Sequence, residues 1–223
     1  MTIKTNSRIA GVTFLLYIAI GIGSMVLSPD GDGIAAKLEA MAQHDLKVRI
    51  GFLLGLLMSF CALVLAVTLH ALTREEDQDL ATLGMICRAA EGIVGISIPV
   101  SLSLLWLATS TGADAPDARA AHAIGAFVMK IGGWQTLTCA ILFAVGSTVF
   151  SYLFLRGRMI PASLAWLGVA ASVLLVAGLP LVLAGFLTGP MTQLIWIPMA
   201  LFEVALALWL IIKGVSPARR SAA

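Results

Sequence analysis

Residues 50–72 read IGFLLGLLMSFCALVLAVTLHAL, a run with no Asp, Glu, Lys or Arg. A helix that crosses the roughly 30 Å hydrocarbon core of a bilayer needs about 20 mostly apolar residues. This stretch is therefore long enough to span by itself. Working outward, comparable runs recur at about 9–27, 80–108, 127–155, 162–187 and 193–213, giving six candidate spans. They occupy most of the 223 residues and leave little for a soluble domain. The ten-residue alternating segments of an outer-membrane barrel are absent. The expected fold is an all-α, polytopic membrane helix bundle forming one transmembrane domain over residues 1–223.

Composition agrees. Hydrophobic residues make up 60% of the chain and charged residues 12%, against about 45–50% and about 25% in soluble proteins. Mean hydropathy is +1.00, which excludes a disordered chain. A net charge of +2 is too small and too scattered for a nucleic-acid footprint, so no nucleic-acid partner is expected.

Cytoplasmic ends of spans retain Lys and Arg. An inside N-terminus places Lys4, Arg8, Arg74, Arg156, Arg158, Lys213, Arg219 and Arg220 in the cytoplasm, against Lys37, Lys47, Arg49 and Arg119 outside. Both termini are thus expected to be cytoplasmic, in a multi-pass membrane protein. The first span lacks a small-x-small cleavage site followed by a polar start, so it reads as a span rather than a leader. After it, Ser28-Pro29-Asp30-Gly31-Asp32-Gly33 is a turn cluster. Ile34, Leu38 and Met41 then fall at helical spacing, which reads as a short amphipathic helix over 33–45. A two-turn extension of the second span fits the same residues. Thr109–Arg119 reads as an irregular outer loop, and the remaining short turns make neighbouring spans antiparallel hairpins.

Cys61, Cys87 and Cys139 lie inside spans without C-x-x-C spacing, so they read as packing residues. His44, His70 and His122 sit at or beyond span ends in different places, which argues against haem ligation. No cofactor and no metal are expected, and no catalytic residue is assigned. Gly51 and Gly55 match a close-packing G-x-x-x-G pattern.

The informative residues are ionisable groups inside spans, which are costly and normally face the bundle interior with partners. Arg88 and Glu91 are three apart in the third span and share a helical face. They lie 8 and 11 residues from its start near 80, while Glu203 lies 10 residues from the end of the last span near 213. At 1.5 Å per residue all three sit about 12–17 Å deep, and Tyr17 in the first span reaches the same level. Arg88, Glu91, Glu203 and Tyr17 therefore form a candidate ligand or proton site. One cation against two carboxyls would leave a net negative layer, so one carboxyl is expected to hold a proton part of the time. Glu203, without a local partner, is the better placed. Arg49, Lys130 and Gln135 (beside Trp134) form a candidate basic vestibule near the outer face; snorkelling cations and an interfacial Trp also account for them. Pro99, Pro180 and Pro198 are expected to kink their spans, placing irregular backbone near the polar layer beside Gly92 and Gly95.

Several short segments then fall together in order. Arg8-Ile9-Ala10-Gly11 opens the first span, Arg88-Ala89-Ala90-Glu91 sits in the third, Ile160-Pro161 follows a basic turn, and Glu203-Val204-Ala205-Leu206-Ala207-Leu208-Trp209-Leu210-Ile211-Ile212-Lys213-Gly214 closes the last. In this order and spacing the chain resembles, over roughly residues 7–214, the bacterial integral membrane proteins grouped as domain of unknown function 4386. The resemblance implies a six-helix membrane fold and a bacterial origin, and so a multi-pass protein of a bacterial plasma (inner) membrane; it supplies no activity, and marks Arg8, Arg88, Glu91 and Glu203 for testing. His70 stands where the family's leucine–tyrosine pair is expected.

Three functions are compatible with these residues. The first is small-solute or proton-linked transport, or ligand binding within the bundle, at Arg88, Glu91 and Glu203. The second is a structural or lipid-interacting role in which Arg88 only locks helices. The third is an intramembrane enzyme on a lipid substrate, with Glu203 or His70 as acid–base. The partners implied are membrane lipids and a small solute or proton, with an oligomer left open.

Overall fold

The computed structural model describes residues 2–29, 31–96, 98–112 and 115–216. Among them the chain forms nine helices and no strand: α1 (Ile3–Leu27), α2 (Ile34–Gln43), α3 (Asp45–Thr73), α4 (Gln78–Val94), α5 (Ile98–Thr109), α6 (Ala118–Arg156), α7 (Ala162–Leu183), α8 (Met191–Leu194) and α9 (Ile197–Ile212). Their lengths and composition provide six candidate crossings, with α4–α5 and α8–α9 each acting as one. The protein is a multi-pass, all-α membrane helix bundle.

The helix starts follow capping chemistry. Thr2, Asp77 and Asp117 each accept a backbone N–H three residues on, at the beginnings of α1, α4 and α6. α6 has 39 residues, about 58 Å at 1.5 Å per residue, so it projects well beyond a hydrocarbon core. Asp117 starts it earlier than the sequence indicates, so Ala118 and Arg119 are helical and the outer loop is shorter.

α2 is a separate helix, not an extension of α3: the backbone breaks at His44 (φ −126°, ψ 42°). Its apolar side buries Leu38 and Met41. Met41 packs with Val48 of α3 and Leu105 of α5, while Ile34 and Leu38 approach Gly125 on the projecting part of α6. α2 is thus held as a shelf over the end of the bundle remote from the termini.

The six crossings close into a ring in chain order: α1 packs on α3, α3 on α4, α4 on α6, α6 on α7, α7 on α9, and α9 back on α1. Short connections between sequential neighbours favour this order. Glycines set the closest approaches. A Cβ at Gly11 would lie 2.7 Å from the Ala207 carbonyl, and one at Gly168 would lie 2.5 Å from the Phe202 ring. Leu153, Phe154, Leu206 and Leu210 fill the half nearest the termini. Large apolar side chains such as Val26, Val67, Trp166 and Ile212 point outward, as lipid contact requires. At one end Val215 N–H donates to Ser7 Oγ at 3.4 Å, so the described C-terminal segment lies beside the start of α1. Arg219, Arg220 and Asp30 lie outside the described residues.

The prolines behave differently from expectation. Only Pro180 lies inside a helix. Pro198 sits in the first turn of α9 and Pro99 in that of α5, where a missing N–H costs nothing. They begin new helices after breaks instead of kinking continuous ones.

Candidate functional site

The break between α4 and α5 shapes the site. α4 ends at Val94, with Gly95 as C-cap, one turn beyond Glu91. A Cβ on Gly92 would lie 2.9 Å from the Ser59 carbonyl of α3, so glycine lets α4 lie against α3 at this level. The backbone opens immediately past the buried ion pair.

That pair is Arg88 and Glu91. Arg88 is 1% exposed and Glu91 4%, and Arg88 Nη1 lies 2.9 Å from Glu91 Oε2. The tyrosine hydroxyl of Tyr17 donates to Glu91 Oε1 at 2.8 Å, joining α1 to α4. The guanidinium carbon sits 4.8 Å from the Phe143 ring centre and 5.6 Å from that of Tyr17, so two aromatic faces help hold a desolvated cation. Gly146 makes room for its stem, since a Cβ there would lie 3.0 Å from Arg88 Cγ. The guanidinium N–H groups nonetheless make no hydrogen bond among the described residues. A buried polar group of this kind is costly and marks a place where water or a ligand would be favourable.

Glu203 enters the same layer from α9. It is buried, and its Oε1 makes no hydrogen bond among the described residues. It lies within electrostatic range of Arg88 and Glu91, yet no Arg88–Glu203 ion pair forms among the described residues. Arg88, Glu91 and Tyr17 therefore form one cluster, with Glu203 beside it. Next to Glu203 is a void of about 10 Å³ bounded by Phe14, Ser147, Phe150, Ser151 and Phe202, about the volume of one water sphere. Phenylalanines close the bundle on this side.

On the other side of the layer the ring is hollow. A cavity of about 770 Å³ extends from Tyr17, Ser59 and Glu91 to the end remote from the termini, where Lys37 of α2 and Lys47 of α3 line it. Its volume falls within the range of small-molecule sites. Gly51 and Gly55 line this cavity, and a Cβ on either would meet nothing within 4 Å. They widen the space between helices instead of closing it, which reverses the close-packing reading of the G-x-x-x-G pattern.

The expected vestibule of Arg49, Lys130 and Gln135 is not assembled. Arg49 is exposed and pairs with Asp45 one turn earlier at 3.5 Å. Lys130 is exposed, its ammonium 5.6 Å from the Trp134 ring centre. Gln135 Nε2 donates to the carbonyls of Val94 and Ile96, holding the broken end of α4. The three lie at different depths: Gln135 is level with the end of α4, near Ser59, while Arg49 stands ten residues further out on α3. The lysines at the cavity mouth are Lys37 and Lys47, which the charge count registers only as topology markers.

The termini face has its own clamp. Arg156 reaches Glu76 and Asp77 at 3.0 Å each, tying the α3–α4 turn to the end of α6. The Leu80 amide and then Arg156 hold the Asp77 carboxyl below its ordinary range. A depressed carboxyl contributes stability above its unfolded pKa and loses it as pH falls through the folded value. The melting temperature should therefore drop on acidification below about pH 4, and Asp77→Asn should flatten that drop. A variant curve parallel to the wild type would refute this role.

The family model described as Domain of unknown function (DUF4386) matches residues 9–214. The chain belongs to this family. No curated protein and no solved structure matches it. The segment matched by the DUF4386 model includes Tyr17, Arg88, Glu91 and Glu203, and also the cavity wall from α1 to α6, whereas Arg8 stands one position before it and is exposed.

Proposed function

We propose that this chain is a bacterial plasma-membrane protein that binds a small ligand in the 770 Å³ cavity and couples its passage to a proton held at the Glu91–Glu203 layer. The observation that carries this reading is the cavity's floor: an apolar hollow ends on a buried, hydrogen-bonded carboxyl with a second carboxyl close behind it. The Lys and Arg distribution supports an inside placement of the termini, and so an outward-facing mouth. On the far side of Glu203 the phenylalanines leave a void of only about 10 Å³. That asymmetry suits one state of an alternating-access cycle, and discontinuous helices beside a site near the midplane are a recurrent transporter feature. The broken α4–α5 crossing has that form. Surrounding lipid, a small solute and a proton are the partners this reading needs.

A purely helix-locking role for the layer would not call for a hollow above it. The two readings separate with Gly55→Trp, which fills the cavity at a wall position where a Cβ meets nothing. In liposomes with an entrapped pH dye, the wild type should acidify after an external acid pulse faster than protein-free liposomes. Gly55→Trp should return the rate to the protein-free level at an unchanged melting temperature. A wild type no faster than protein-free liposomes, or an unaffected variant, would reject the proposal.

A further inference from the structure

The cavity is chemically graded along its length. Its mouth carries Lys37 and Lys47 together with Ser28, while Ser24 lies about a turn deeper on α1, beside the level of Leu54. Among the described residues neither lysine has a carboxylate within 4 Å, whereas the nearby Arg49 is taken up by Asp45. Ser24 Oγ is buried and makes no hydrogen bond among the described residues. Below this level the wall becomes apolar and open, with Gly51, Phe52, Gly55, Leu56, Met58 and Leu104. From Lys47 to Ser59 the α3 wall is 12 residues long, about 18 Å, while half the hydrocarbon core is about 15 Å. The hollow is therefore about one leaflet deep. At its floor Glu91 accepts from Tyr17 and is charge-paired with Arg88 at 2.9 Å, so the floor offers no uncompensated anion to attract a cation.

We propose that the cavity binds a single-chain anionic amphiphile, its charged head between Lys37 and Lys47 and its chain lying along α3 toward Ser59. A carboxylate or phosphate head would take the two lysine ammoniums as charge-assisted donors. α2 brings Lys37 and the apolar Ile34, Leu38 and Met41 to the same mouth. This one short helix thus supplies both a head contact and a cover for the upper chain. The inference rests on the ligand-binding reading above and adds the class of ligand.

The test uses full-length protein in nanodiscs of uncharged phosphatidylcholine, with a diazirine-bearing dodecanoate as photoprobe and mass spectrometry to locate the label. Label is expected on Phe52, Leu56 and Met58. Excess dodecanoate should suppress it and dodecyltrimethylammonium should not. Lys37→Ala with Lys47→Ala should weaken capture by about tenfold or more, while Lys37→Arg with Lys47→Arg retains it. The rescue by arginine separates lost charge from lost folding. Dodecyl phosphate competing as well as dodecanoate would assign the site to anionic heads generally, and dodecanoate competing alone would assign it to carboxylates; both results support the proposal. Label confined to lipid-facing residues such as Leu53, or unchanged capture by the double alanine variant, would overturn it. Cavity label displaced best by the cation would also overturn the anionic class, yet leave the ligand-binding reading intact.

Discussion

Arg88→Ala should be the most damaging single truncation in the polar layer. It removes the one cation beside Glu91 and leaves a carboxylate that is 4% exposed without a countercharge. Breaking one side of a buried pair costs about 3–5 kcal/mol, which for a chain of this size corresponds to about 10 °C or more in melting temperature. It also empties the space between the Tyr17 and Phe143 rings. Replacing both charges, as in Arg88→Met with Glu91→Leu, should recover most of the loss, because well-packed apolar side chains often substitute for a buried pair at little cost. Thermal melts of the single and double variants in detergent check this. A single variant within about 2 °C of wild type would mean that Arg88 is not bearing the charge balance of the layer.

Glu203→Gln should separate function from folding in the opposite way. Glu203 makes no ion pair or Oε1 hydrogen bond among the described residues, so an amide of the same shape removes no favourable contact and relieves a buried charge. Stability should stay level or rise slightly. Proton flux in liposomes should nevertheless fall by about tenfold or more, since an amide cannot take up and release the proton in a relay of this kind. Unchanged flux would remove Glu203 from the pathway, and a large fall in melting temperature would show that it has a structural partner.

Much of this architecture was legible in the chain because its signals are local. Runs such as residues 50–72 define the crossings, and the spacing of Ile34, Leu38 and Met41 defines α2. The Arg88–Glu91 pair follows from three-residue spacing on one helix, and counting residues from the span ends brings Tyr17 to the same level. Depth alone gives a layer but no direction around the ring. That is why Arg88 and Glu203 share a level without pairing; Arg49, Lys130 and Gln135 differ in depth as well, and form no single vestibule. The Gly51 and Gly55 pattern has the same form whether a neighbouring helix closes on it or stands away. Here α2, docked on α5 and α6, leaves the space open. Phe143 escaped attention because an aromatic residue in an apolar run carries no sign that it faces a cation.

On the proposed function, solute reaches the Tyr17–Glu91 floor from the side remote from the termini. Ser59 lines that floor on α3, and the native thiols Cys61, Cys87 and Cys139 are free, so each is first replaced to give a silent background. Ser59→Cys on that background is then exposed, in intact cells, to a small membrane-impermeant thiol reagent. Rapid labelling from outside, lost when Gly55→Trp is added, is the predicted result. A cysteine at Ser59 that reacts only after the cells are opened, or that reacts equally with Gly55→Trp present, would contradict an outward-facing cavity ending on Glu91.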